Sequence, residues 1–333
     1  MSNPVETASG EAQASDSDTR SRLRRSLQQG LAFGTLIVLI IFFAIARPAF
    51  LQWSNIAGVL LSTAVIGILA VGTTLVIVTG GIDLSIGTGM TFAAVMTGTA
   101  ITVWGAPMWA GILVGLITGA TMGLVNGANI VFLKVPPFIA TLAMMMITQG
   151  LSMIVSGVKP VYIQVEGFQQ IALGELIPGL PNAVLILFAC ALIGSVLLTK
   201  TILGRYTFSI GSNDEATRLS GINTNKWKIV IYATAGVFTG IAGVVLASRL
   251  GSAQPQLGTG YELQAIAAVV IGGTSMLGGR GSILGTLIGA LVMSVLINGL
   301  RIMSIQTEWQ NVVVGIVVLL AVFSDSLRTR KGA

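Results

Sequence analysis

An all-α integral membrane protein is the fold class that this sequence predicts, and three observations carry it. Of the 333 residues, 53% are hydrophobic and only 9% are charged, far from the balance of a soluble domain. Apolar segments of membrane-spanning length recur from residue 27 to residue 324. The five tryptophans, Trp53, Trp104, Trp109, Trp227 and Trp309, all fall at the ends of those segments, where amphipathic rings anchor helices at the interface. The spans must be helical, because lipid leaves each backbone polar group to be satisfied within its own segment.

Residues 1–26 are rich in Ser, Asp, Glu and Thr and end in Arg20, Arg22, Arg24 and Arg25. Such a segment cannot bury a core and is expected to be a disordered cytoplasmic tail. Ala44-Ile45-Ala46 resembles a signal cleavage site, but the long polar region before it and the many spans after it argue against removal. A polytopic domain over 27–325 follows, with about ten spans at 27–46, 56–78, 86–103, 109–131, 138–156, 182–199, 229–248, 262–277, 282–300 and 310–324. Residues 326–333 form a basic cytoplasmic tail. An even number of spans puts both termini on one side. With that side cytoplasmic, all eighteen Lys and Arg residues fall inside except Arg47, Lys159, Arg249 and Arg301.

Two glycine-rich stretches interrupt the apolar pattern. Gly80–Gly87 separates the second and third spans with only a few residues, and Gly272–Gly281 interrupts apolar sequence in the same way later, after an unusually short apolar stretch. Paired interruptions of this kind mark discontinuous helices beside a translocation path, or tight cytoplasmic turns that need glycine for backbone reasons. Asp83 is the one carboxylate near membrane depth; it either lines a path or caps the following helix, with Ser85 in the first turn. Thr274 and Ser275 sit in the second interruption. Asn126, Asn129, Gln149 and Asn298 lie within apolar sequence, where they bond helix to helix or give a weakly polar lining for a hydroxylated solute. The glycine-rich spans, such as Gly111–Gly115 and Gly236–Gly243, predict close helix approach, and Met144-Met145-Met146 reads as packing.

The longest polar insertion after the tail is Leu203–Lys228. Within it Asp214–Gly221 reads as a short helix, with Asn213 as N-cap, Asp214 and Glu215 in the first turn and Gly221 as the stop. It is either an ordered loop or a handle for a cytoplasmic partner.

Several function classes lose their parts. The chain has no histidine and one cysteine, Cys190, inside an apolar run, so triads, zinc sites and disulfides are not available. No lysine follows a glycine, which excludes the common phosphate-binding loop, and no GxGxxG occurs. No metal site is expected. The basic charges are spread over loops and tails rather than gathered in a stripe, which speaks against nucleic acid. An ion-coupled carrier would keep several intramembrane carboxylates, and only Asp83 is available. That favours an energy source on another subunit. The competing readings are an independent carrier or channel using Asp83 and, less supported, a membrane enzyme.

The stretches GTTLVIVTGGIDLSIG (72–87), PFIATLAMMM (137–146), LGRYTFSIGSNDEATRLSGINTNKWKI (203–229) and SAQPQLGTGYELQAIAAVVIGGTSMLGGRGSILGTLIGAL (252–291) resemble the permease subunits of bacterial ABC importers for monosaccharides, most closely those for ribose. The similarity runs from about residue 50 to 325 and leaves the N-terminal tail uncovered. It implies a vitamin-B12-importer-like (type II) fold in the bacterial inner membrane, surrounded by lipid, with a second permease copy as partner. It also implies two cytoplasmic ATP-binding subunits that carry ATP and Mg, a periplasmic or lipid-anchored sugar-binding protein and a monosaccharide substrate. This chain itself would bind no cofactor. On the same resemblance, residues 212–220 form a coupling helix, and Asn213, Asp214, Glu215, Ala216, Thr217, Arg218 and Gly221 enter a cleft of the ATPase. The outer loops 157–181 and 249–263 would meet the binding protein, with Tyr162, Glu166, Glu175, Gln254, Gln256 and Glu262 as candidate contacts.

Overall fold

Apolar sequence this rich in glycine folds by closing backbone bonds locally and then bringing helix backbones together. The computed structural model describes residues 30–330, so the tail at 1–26 and the last three residues of the basic C-terminal segment lie outside the described residues. The helices are α1 (Gly30–Ala46), α2 (Trp53–Val78), α3 (Ile86–Thr102), α4 (Met108–Phe132), α5 (Pro137–Ser156), α6 (Gln170–Leu173) and α7 (Asn182–Lys200). They continue with α8 (Ile202–Ser212), α9 (Asp214–Leu219), α10 (Thr224–Leu250), α11 (Tyr261–Ile271), α12 (Ile283–Ile302) and α13 (Thr307–Arg330). A short 3-10 turn, Pro48–Leu51, joins α1 to α2.

Each of the ten apolar segments read from sequence lies on one of these helices. Six of them, α2, α4, α5, α7, α10 and α12, are long and apolar enough to cross a membrane, and α1, α3, α11 and part of α13 are shorter apolar helices. The eighth segment is the one whose boundary changes. It ends at Ile271 rather than 277, because Gly272 and Gly273 turn the chain and Gly273 takes positive φ. The all-α expectation needs one addition, a two-stranded antiparallel sheet of β1 (Val161–Tyr162) and β2 (Ser252–Ala253).

α2 is the hub. It packs against α7, α10, α11 and α12, and most of its length is buried. Its threonines close their hydroxyls on the preceding turn: Thr73 donates to the Leu69 carbonyl (2.9 Å) and Thr74 to that of Ala70 (2.7 Å), so neither brings an unpaired polar group into the core. Thr74 and Thr286 also bond across α2 and α12 at 2.8 Å. Cys190 is buried as a free thiol on α7.

The tightest contact is α4 against α10. Gly115, Gly119, Gly123 and Gly127 recur every fourth residue and so share one face of α4. Opposite lie Tyr232, Gly236 and Gly240 of α10. A methyl group at Gly119 would meet the backbone of Gly236 and Gly240, and one at Gly236 would meet the carbonyl of Gly119. Helices that touch through backbone gain dispersion contacts that side chains would hold apart.

α10 also fixes the two ends of the molecule. Its 27 residues put about 40 Å between Thr224, beside α9, and Leu250, beside β2.

A Gly119→Val substitution places branched carbon against backbone that has no rotamer by which to yield. It is expected to cost about 3 kcal/mol, the upper end of overpacking penalties. Thermal unfolding in detergent should show a clearly lowered melting temperature, while Gly58→Ala, with nothing near its methyl position, stays at wild type. Equal melting of the two variants would contradict the packing described.

Candidate functional site

At the end of the molecule beside Thr224, α9 stands as a six-residue helix on a rigid mount. Asn213, in extended backbone, breaks α8 and caps α9 by accepting from the Ala216 N–H at 2.9 Å. Asp214 and Glu215 occupy the first turn and Arg218 the last, the arrangement that complements the helix dipole. Glu215 and Arg218 lie 3.8 Å apart along the exposed side. Gly221 takes φ +84° and ends the element.

The mount comes from α8 and α10. Lys228 Nζ pairs with Asp214 Oδ2 at 2.6 Å. Asn223 caps α10 by accepting from the Lys226 N–H, and the Tyr206 and Trp227 rings meet edge to face at 4.8 Å between α8 and α10. Thr217 is buried and its hydroxyl donates to the Asn213 carbonyl at 2.7 Å. Glu215, Ala216, Arg218 and Leu219 remain exposed, Leu219 at 79%. A short helix held at both ends, with an exposed leucine among paired charges, has a surface suited to a protein groove.

The first glycine-rich interruption is a buried polar turn. Asp83 is 2% exposed; its Oδ1 accepts from the Ser85 N–H (2.9 Å) and the Ser85 hydroxyl (2.6 Å). The carboxylate therefore closes the turn two residues on and faces the N-terminus of α3, where a negative charge is favoured. Asn126 of α4 donates to Ser85 Oγ at 2.9 Å, and Thr141 of α5 donates to the Ile82 carbonyl at 3.2 Å. The Tyr232 hydroxyl of α10 sits where a Gly81 side chain would be. It and Asn126 Oδ1 are buried with no partner among the described residues.

The other candidate path residues separate. Thr274 and Ser275 are buried in the second interruption, at the same end of the molecule. Asn129 is half-buried one turn beyond Asn126, and Gln149 follows Thr148, which bonds Thr88 at 2.8 Å. Asn298 stands about 18 Å along α12 from Thr286, toward the opposite end. The chain thus joins Asp83, Ser85 and Asn126 into one network and leaves Gln149 and Asn298 outside it.

At the opposite end, the 157–181 and 249–263 loops are brought together by the β1–β2 pair. Ser248 reinforces it, donating to the Phe168 carbonyl (2.7 Å) and accepting from the Ala172 N–H (3.0 Å). Tyr162, Glu166, Glu175, Gln254 and Gln256 are exposed there. Glu262 is a correction: it is 7% exposed and both carboxylate oxygens accept from the Gly260 N–H, so it holds the start of α11 and offers no outer surface. Sequence reading missed Lys228, Tyr232, Thr141 and Asp325. A lone tyrosine within an apolar span was the signal available for Tyr232; the others bond through contacts that no local pattern encodes.

Residues 55–322 match the family described as the branched-chain amino acid transport system permease component. The chain belongs to this permease family. It is 41% identical to the ribose import permease protein of Escherichia coli strain K12, over 87% of this chain and 91% of that one. It is 43% identical to the ribose import permease protein of Bacillus subtilis strain 168, over 87% and 90% of the two chains. The xylose transport system permease protein of Haemophilus influenzae is 34% identical over 92% of this chain and 98% of its own. No solved structure matches. The permease is accordingly a multi-pass membrane protein.

Replacing Asp83 by Ala leaves two buried donors of Ser85 without an acceptor, a loss of about 1–3 kcal/mol. Thermal unfolding should show Asp83→Ala well below wild type and Asp83→Asn, which keeps an acceptor oxygen, between them. Equal melting of all three would remove Asp83 from the role of holding the turn before α3, whose N-cap residue is Ser85.

Proposed function

We propose that this permease is the membrane subunit of an ATP-driven importer for a monosaccharide of the ribose type. The observation that carries the reading is similarity to ribose import permeases across about nine-tenths of both chains. The similarity to xylose permeases supports the sugar class more broadly.

In this reading the apolar helices α1–α5, α7 and α10–α13 make ten crossings in a type II importer fold. Both termini face the cytoplasm. The positions of Arg47, Lys159, Arg249 and Arg301 in segments at or leading to the end opposite α9 support that orientation. Two copies enclose the sugar path. A separate subunit binds ATP and Mg and receives α9 in a cleft, through Asn213, Asp214, Glu215, Ala216, Thr217, Arg218 and Gly221. A sugar-binding protein docks on the β1–β2 side, near Tyr162, Glu166, Glu175, Gln254 and Gln256. The path need only alternate between two packings and hold the sugar weakly, so specificity rests largely with the binding protein.

The mount of α9 suits coupling. A displacement applied to a helix capped at Asn213, paired through Lys228 and braced by Trp227 moves the ends of α8 and α10 with little local give. The carrier reading is weakened because Asp83, its one coupling group, is engaged with Ser85.

The test is sugar uptake and ATP hydrolysis in liposomes holding permease, ATPase and binding protein. Glu215→Arg with Ala216→Asp reverses one charge and adds bulk on the exposed face of α9. Uptake is expected to fall about tenfold or more while hydrolysis continues or the ATPase dissociates. Undiminished uptake would leave α9 as a connector; uptake without any ATPase would revive the carrier.

A further inference from the structure

The two glycine-rich interruptions are some two hundred residues apart in sequence and meet at the root of α9. In the turn between α11 and α12, Gly278 and Gly279 take φ +87° and +71°. A side-chain carbon at Gly278 would lie 2.8 Å from both the Gly211 carbonyl oxygen and the Gly80 nitrogen. One at Gly279 would lie 2.8 Å from Ser212 Oγ. One at Gly211 would collide with the Val78 carbonyl. The Gly279 N–H donates to that same Val78 carbonyl at 2.8 Å. The last turn of α8, the end of α2 and the α11–α12 turn therefore touch backbone to backbone. Behind the turn, Asp325 of α13 accepts from the Met276 N–H at 3.0 Å and from the Ser275 hydroxyl at 3.4 Å.

We propose that this three-way backbone joint is the element that carries displacement of α9 into the helices around the path, with Gly211, Gly278 and Gly279 as positioning residues and Asp325 as the brace. The inference rests on the coupling role of α9 given above and names where its motion goes. Close-packed backbone has no rotamer to absorb a push, whereas a side chain at the contact would take up part of it. α9 leaves α8 at Asn213, two residues past Gly211, so a displacement reaches the joint within one turn.

From the joint the motion has two exits. Through Gly80 and Gly81 it reaches the Asp83–Ser85 turn, which is bonded to Asn126 of α4 and to Thr141 of α5. Through Gly281 it enters α12, which is tied to α2 by the Thr74–Thr286 bond. The joint thus connects the ATPase handle to both stretches that the sequence marks as interruptions.

The experiment uses the complete transporter in liposomes. Gly211→Ala is expected to keep the ATPase bound and hydrolysing while sugar taken up per ATP falls about tenfold; Gly58→Ala serves as the control. A second measurement does not depend on that variant folding. In a Cys190→Ala background, Ser212→Cys and Leu277→Cys, both at exposed positions, are bridged by a short rigid bismaleimide. Because the two segments move as one body, the bridged transporter should import at close to its unbridged rate. Normal coupling in Gly211→Ala overturns the proposal. So does a bridge that stops uptake while each single-cysteine variant, treated alike, still transports. The Glu215→Arg, Ala216→Asp variant run in parallel separates the two readings. If it transports normally, the coupling role of α9 has failed; if it uncouples while Gly211→Ala does not, only the joint has.

Discussion

Close approach of backbone to backbone is the contact on which this molecule depends. In a hydrocarbon solvent the hydrophobic effect does not draw helices together, since lipid tails are as apolar as leucine. What remains is dispersion, which rewards contact at the shortest distance, and internal hydrogen bonding. Glycine serves the first need at the α4–α10 face and again where α2, α8 and the α11–α12 turn meet. Thr73, Thr74, Thr207 and Ser152 serve the second by bonding to their own helix one turn back, so that these polar side chains enter the core already satisfied.

Irregular backbone is the exception that such a solvent punishes, and the chain keeps it where protein can satisfy it. The turn at Asp83 has its donors taken up by the carboxylate, and its neighbours Asn126 and Thr141 bond into it from two further helices. The turn at Gly278 is held by Val78 and Asp325. Both lie at the end of the molecule that bears α9, so the two glycine-rich turns are grouped beside that short, exposed, charged helix. The opposite end is built differently: two loops joined by a minimal sheet and a buried serine.

Much of this was legible in residues and much was not. The ten apolar segments fell on ten helices because hydropathy over some twenty residues is a local quantity. The α9 element was legible down to its cap, since Asn213, the acids after it and Gly221 act through bonds spanning three or four residues. The eighth segment was read too long because Met276 and Leu277 continue the apolar count past the point where two glycines end the helix. Glu262 was read as an outer contact from its place beside a loop. Its inward turn depends on the Gly260 N–H and on packing that brings Gly87 against it.

By itself the sequence determined that the chain is a bundle of membrane helices, where those helices lie, that one short capped helix stands apart from them, and that parts for histidine, zinc or P-loop chemistry are missing. These follow from composition and from interactions within a turn or two. Only the tertiary structure decided that Asp83 is engaged by Ser85 and Asn126, that the two glycine-rich interruptions share one joint with the root of α9, and that Asp325 braces it. Apart from the local Asp83–Ser85 bonds, those contacts join residues some forty to two hundred apart, and the close approach that creates them is a property of packed helices rather than of any stretch of chain.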